Sequence, residues 1–213
     1  MMYSQLGQDT FIDTILNKKY NGVFVDIGAH DGKSCSNTLF FEESRNWTGI
    51  CIEPGPNEFK ILNSFRKSIN INACISNYDG ESEFTYIEGY ANMLSGLSED
   101  YNISHKNRIS NEVGHYGGDV QKIMMKVYKL QTILDMHNIH DIDYCSIDTE
   151  GSEFNIVQSI DFDRTKIKLF SIENNYGTNE IKNFLETKGY YLHTKLQWDD
   201  IFIKDEKNKN SIF

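Results

Sequence analysis

The run Val23-Phe24-Val25-Asp26-Ile27-Gly28-Ala29-His30-Asp31-Gly32 decides the fold. An apolar strand leads directly into a glycine turn, and a helical pattern follows over 34–43. Near-continuous apolar character marks a parallel strand covered on both faces. Glycine lets the chain turn sharply and approach a ligand, and the next helix N-terminus adds a positive dipole. The following strand-like run, 49–53, ends in Glu53, twenty-one positions after Gly32. A carboxylate there can accept hydrogen bonds from both hydroxyls of a ribose.

A dinucleotide site wants G-x-G-x-x-G, because its second glycine admits the pyrophosphate. Here that position is His30, the spacing is G-x-x-x-G, and Asp26 precedes it. An acid before the glycines suits a ligand with a cationic group, such as the amino group of S-adenosylmethionine (SAM). SAM is therefore favoured over NAD. A strand–helix turn with no ligand is the competing reading.

Outward from this segment, short apolar runs alternate with amphipathic ones, the pattern of a parallel sheet wrapped by helices. Helices are expected over 8–16, 34–43, 57–66, 132–137, 152–159 and 179–188. Strands are expected over 23–27, 49–53, 69–75, 142–147 and 167–173, with a closing hairpin from 190–196 and 200–204. Runs 82–87 and 126–130 read as strands flanking an excursion, 88–123, that has little periodicity and five glycines. Long loops of this kind are functional or disordered. The tail, 205–213, is expected to fray.

The 213 residues, 39% hydrophobic and 24% charged, suit a single globular domain, 1–213, with 88–123 as a substrate-binding insertion or lid. A net charge of −10 repels phosphate backbones, which argues against nucleic acid as a partner. No apolar run approaches the roughly 20 residues of a membrane span. The start, MMYSQLGQDT, lacks the basic and apolar parts of a signal peptide, so a cytoplasmic location is expected. Four cysteines form no C-x-x-C pair, and Cys51, Cys74 and Cys145 fall in strand-like runs, as free buried thiols do.

The chain resembles the FkbM family of SAM-dependent methyltransferases. The matching segments are Ser4–Asp9, VFVDIGAHDG (23–32), Ser36-Asn37-Thr38, Ile50–Pro54, Met93–Leu97, Ile142–Glu153 and Ser171–Asn174, in the family's order. One departure is His30, where the family more often has Asn. The resemblance implies an α/β fold of the class I methyltransferase (Rossmann-like) type. Its mostly parallel seven-stranded sheet has helices on both faces, an antiparallel C-terminal hairpin and an insertion before the fourth strand. It also implies O-methylation of a small acceptor such as a sugar, sugar nucleotide or other glycan precursor, with N-methylation of an amino sugar as a close variant. On this resemblance Glu53 holds the ribose, and Asp26, Gly28, His30 and Gly32 surround the methionine portion. Cys74, Ile75 and Ser76 lie near adenine, and Gln8 and Asn37 approach the polar tail.

Asp148 ends the fourth expected strand and Glu150 follows; Glu173 and Asn174 end the fifth. In an open parallel sheet these ends meet beside the cofactor crevice. Ionised carboxylates packed together need a cation or a shared proton. Asp148, Glu173 and Asn174 would suit Mg2+ or Mn2+, which would acidify and orient an acceptor hydroxyl. Equally, Asp148 can bond the cofactor's amino group, Glu150 can cap the next helix and Glu173 can fix a loop. The catalytic candidates are thus Asp148, Glu150, Glu173 and His30, the last because histidine titrates near neutrality. His105 and His115 in the excursion read as structural or surface residues. A noncatalytic nucleoside-binding module and a nicotinamide oxidoreductase remain the alternatives. The acids at 148, 150 and 173 count against the first, and His30 against the second.

Overall fold

The computed structural model describes residues 3–205. In chain order they form α1 (Gln8–Ile15), β1 (Val23–Ile27), α2 (Leu39–Arg45), β2 (Thr48–Ile52), α3 (Pro56–Phe65) and β3 (Ile69–Ile71). Next come β4 (Cys74–Ser76), β5 (Gly80–Glu88), a 3-10 turn (Asn92–Leu94), β6 (Gly96–Leu97), α4 (Ile103–Tyr116) and β7 (Asp119–Lys129). The chain closes with α5 (Leu130–Met136), β8 (Asp141–Ile147), α6 (Glu153–Gln158), β9 (Lys166–Glu173), α7 (Glu180–Thr187), β10 (Tyr190–Leu196) and β11 (Asp199–Lys204). Apart from Asp205, whose N–H donates to the Gly189 carbonyl, the tail lies outside the described residues.

Seven strands form the main sheet in the order β10-β11-β9-β8-β1-β2-β3. The pairings from β9 through β3 are parallel, and β11 runs antiparallel to both its neighbours. This mixed sheet follows from the apolar runs. Val25, Ile27, Ile50, Ile52, Cys145 and Ile147 feed the core on one face. The alternating Phe24, Cys51, Tyr144 and Leu169 feed the core on the other. Full burial of each large apolar side chain is worth about 1.5–3 kcal/mol, so both faces must be covered. The chain leaves β1 toward β2 on one side, while β8 pairs on the other. Such a switch point opens a crevice beyond the strands' carboxyl ends. No helix among the described residues is long and apolar enough to cross a membrane.

Three expectations need correction. The run 69–75 is not one strand. It breaks at Asn72-Ala73, where the Asn72 side chain donates to the carbonyls of Glu53 and Pro54 at 2.9 and 3.0 Å. Ile69–Ile71 stays in the main sheet, while Cys74–Ser76 joins a second sheet, ordered β4-β7-β5-β6. The excursion 88–123 is likewise no unstructured loop. A long antiparallel pair, β5 with β7, runs from Gly80↔Val127 to Glu88↔Asp119, and between them the chain carries the 3-10 turn, β6 and the 14-residue α4. The second helix is also shorter than expected. Ser36 Oγ accepts from the N–H groups of Thr38 and Leu39, which holds 34–38 as turns before α2 begins.

Candidate functional site

A cavity of about 410 Å3 lies over the carboxyl ends of β1, β2, β8 and β9. Residues from β4, the 3-10 turn and α4 complete its wall. Gly28 is needed where it is because a Cβ there would collide with the backbone carbonyl of Asp148. The ends of β1 and β8 therefore close on one another, and the Asp148 N–H donates to the Ile27 carbonyl at 3.0 Å.

On one side of the cavity Glu53 is pinned. One carboxylate oxygen accepts from the His30 N–H at 2.8 Å, the other from the Gly55 N–H at 2.6 Å. Burial raises its pKa to about 8, against the pull of those two N–H groups. A carboxylate offers about four lone-pair sites, so two remain for a ligand. Asn37 donates to Ser146 Oγ at 3.0 Å, and its own oxygen is buried on the cavity wall without a hydrogen-bond partner among the described residues. Gln8 lines the wall and donates to Asp199 at 2.7 Å. Cys74 and Ile75 line it too, placed there by the break after β3. His30 adopts φ +50, and its Nε2 lies 3.0 Å from the Asn92 amide, so the ring forms wall against the 3-10 turn. Non-glycine residues held at positive φ cluster at functional sites.

Asp26 lines the cavity but is already bonded. It accepts from Thr38 Oγ1 at 2.6 Å, and burial raises its pKa despite the nearby Arg66 charge. Arg66, at the end of α3, is the organiser that sequence reasoning missed. Its buried guanidinium donates to the Gly32 carbonyl, Thr38 Oγ1 and Glu42 at 3.2, 3.0 and 3.1 Å. Gly32, expected beside the ligand, instead packs on this arginine. At φ +74, a Cβ would come 2.8 Å from Arg66 Cγ, and Gly32 is absent from the cavity wall. Ser76 is buried in β4, also away from the wall.

The opposite side carries Asp148, Glu150 and Glu173, which each place a carboxylate oxygen within 4.8 Å of the others. Asn174, expected to complete this set, is turned away. Its amide donates to Asp200 at 2.8 Å and to the Thr178 carbonyl at 2.9 Å, and its oxygen accepts from the Thr178 N–H at 3.0 Å. Nor does Glu150 cap α6. The N-cap is Ser152, with no side-chain cap bond, and Glu153 ties the preceding turn, accepting from Thr149 N, Thr149 Oγ1 and Gly151 N at 3.0 Å each. Glu150, at φ +59, is left to turn toward the cavity. Desolvation raises the pKa of all three acids, although Asp148 itself is open to solvent, and nearby like charges add to it: Asp199 and Glu153 act on Asp148, and Asp148 acts on the other two. This cluster can hold a shared proton or a cation.

The excursion residues divide by role. Met93 and Arg108 line the cavity. Tyr101 and His105 are buried behind it, their rings 4.2 Å apart, and both bond the Leu94 carbonyl. Tyr90 and Tyr116 stack on each other at 4.0 Å, both exposed. Sequence reasoning also passed over Trp198, which lines the cavity, half exposed, from the β10–β11 turn. A single indole in a turn carries no spacing signal.

The family model described as the methyltransferase FkbM domain matches residues 26–192. Among solved structures, the fold is similar to the crystal structure of methyltransferase FkbM from Methylobacillus flagellatus KT, with a TM-score of 0.51 and 13% identity. That similarity covers 86% of this chain and 43% of the other, so the chain spans less than half the length of that protein. A search of curated proteins found no match to the sequence.

Proposed function

The chain belongs to the FkbM methyltransferase family, and on that premise we propose that it moves a methyl group from SAM to a hydroxyl of a small acceptor, with a sugar or glycan precursor as the acceptor class. The observation that carries this reading is Glu53, fixed by two backbone N–H groups at the end of β2 with lone pairs to spare. SAM fits the residues present. Glu53 would take the ribose hydroxyls, and the Asn37 oxygen, unpartnered among the described residues, would take a donor from the polar tail. Cys74 and Ile75 would lie along the adenine, with Asp26, Gly28 and the His30 wall near the methionine portion. Bound there, SAM supplies a methyl carbon made electrophilic by its sulfonium.

The protein's own work is then positioning and proton handling. Holding a nucleophile in line with the reacting carbon can supply much of a displacement's rate. Asp148, Glu150 and Glu173 face the cavity, and the member that their shared proton leaves ionised can accept a proton from the acceptor hydroxyl. A divalent cation on the same three acids is the second reading, favoured by the spacing of their oxygens. Full turnover after EDTA treatment would remove it.

The thermal midpoint with and without SAM, with NAD as control, tests the cofactor. A ligand at 100 times its dissociation constant adds about 2.7 kcal/mol. For a domain of this size that is a rise of roughly 5–11 °C. A rise with SAM alone is expected; a rise with NAD alone would overturn the reading.

A further inference from the structure

The acceptor side of the cavity has an unbalanced charge. Asp148, Glu150 and Glu173 face it, and Arg108 is the one lysine or arginine among the described residues of the cavity wall. Arg108 offsets part of that charge: its Nη1 forms an ion pair with Glu150 Oε2 at 3.7 Å, too long for a hydrogen bond, while its Nε donates to Glu112 at 3.0 Å.

Glu150 carries the argument further. Its side chain is only 10% exposed, and Oε2 is buried with no hydrogen-bond partner among the described residues. His105 Nδ1 stands 3.5 Å away. That histidine cannot serve as a donor while neutral. Its Nε2 lies 3.1 Å from the Leu94 carbonyl, which can only accept, so the ring hydrogen is on Nε2. Nδ1 is then an acceptor, matched by the Tyr176 hydroxyl at 3.3 Å. Glu150 Oε2 thus faces the cavity with Arg108 in ion-pair range and no hydrogen bond from any described residue.

Three oxygens within 4.8 Å of one another have a common point at most about 2.8 Å from each, which is the length of an N–H donor bond to a carboxylate. One ammonium group can donate to all three. From the missing donor, the excess of acids and this spacing, we infer that the acceptor carries a protonated amine, held by Asp148, Glu150 and Glu173 beside the hydroxyl that is methylated. An amino sugar has that chemistry. Sugar phosphates and sugar nucleotides have the wrong charge for this side of the cavity.

The inference rests on the SAM reading, and calorimetry on S-adenosylhomocysteine-loaded protein separates the two. Failure of S-adenosylhomocysteine itself to bind would sink the cofactor reading. With it bound, D-glucosamine, D-glucose, N-acetyl-D-glucosamine and D-glucosamine 6-phosphate are titrated in turn at pH 7. D-glucosamine should bind roughly ten-fold or more tightly than the others, the worth of a charge-assisted hydrogen bond. Glu150→Gln should abolish that preference without weakening S-adenosylhomocysteine, which also reports that the variant folds. Arg108→Gln should raise D-glucosamine affinity. Equal affinities, binding of none of the four, preference for the phosphate, or a preference that survives Glu150→Gln would each overturn the inference. So would tight D-glucose binding that appears with Mg2+ and disappears with EDTA, since the cation would then be a metal.

Discussion

Glu53 and Glu150 are both acids of the same cavity wall, and burial raises the pKa of each. They are held in opposite ways. Glu53 is fixed through both oxygens by backbone N–H groups, whereas Glu150 Oε2 has no hydrogen-bond partner among the described residues. A pinned carboxylate is organised before the ligand arrives and suits a ligand of constant shape, the cofactor. An unsatisfied one is costly until a donor arrives, by about 1–3 kcal/mol or more for a charged group. That suits the variable partner, because the cost is relieved only by the right acceptor. The two sides thus divide constancy from selectivity.

The sharpest way to break this division is Glu53→Ala. Losing two charge-assisted bonds should weaken SAM binding about 100-fold. By calorimetry, Glu150→Gln should leave SAM affinity within a factor of about three. Equal losses in both variants would erase the distinction. A smaller effect comes from pH. An acid whose folded-state pKa is raised keeps a proton that the unfolded chain releases, so its contribution is full below the unfolded value and falls as pH rises. For Glu53 the window runs from 4.5 to about 8. The midpoint of the ligand-free protein should therefore fall across that range, by about 2–4 °C per kcal/mol lost. Glu53→Ala should flatten part of the slope, leaving the part owed to the acceptor-side acids. A flat wild-type profile would mean that neither side is strained by its charge. The smallest expected effect is Gly32→Ala. Positive φ and the contact with Arg66 Cγ should cost on the order of 1 kcal/mol, a drop of roughly 2–4 °C, with the SAM-induced rise intact. Loss of that rise would return Gly32 to the ligand side of the comparison.

The main sheet was legible because β1, β2, β8 and β9 are apolar on both faces and read as near-continuous runs. Glu53 was legible because strand, glycine turn and acid keep their spacing. Much of the second sheet was not. The polar α4, ISHKNRISNEVGHY, buries only His105 and Ile109, too thin a stripe to reveal a helix by periodicity. Most of β7 is exposed or half exposed, so pairing with β5, not core burial, sets its length. Arg66 escaped notice because its partners, Gly32, Thr38 and Glu42, lie far from it in sequence. Asn174 was misread for the converse reason. Its position after β9 is that expected of a metal ligand, but its side chain is spent on Asp200 and Thr178.

The break after Ile71 has an architectural consequence. The chain crosses into the second sheet at Cys74 and leaves it at Lys129, and those two strands lie side by side, with Cys74 opposite Val127 and Ser76 opposite Lys129. The intervening stretch is closed on itself like a cassette with adjoining ends. Residues within it can lengthen, shorten or change composition while the strands that hold Glu53, Asp148 and Glu173 stay in register. The wall bearing Met93 and Arg108 is therefore open to exchange by grafting at two neighbouring seams, which makes it the natural place to re-engineer what the cavity accepts.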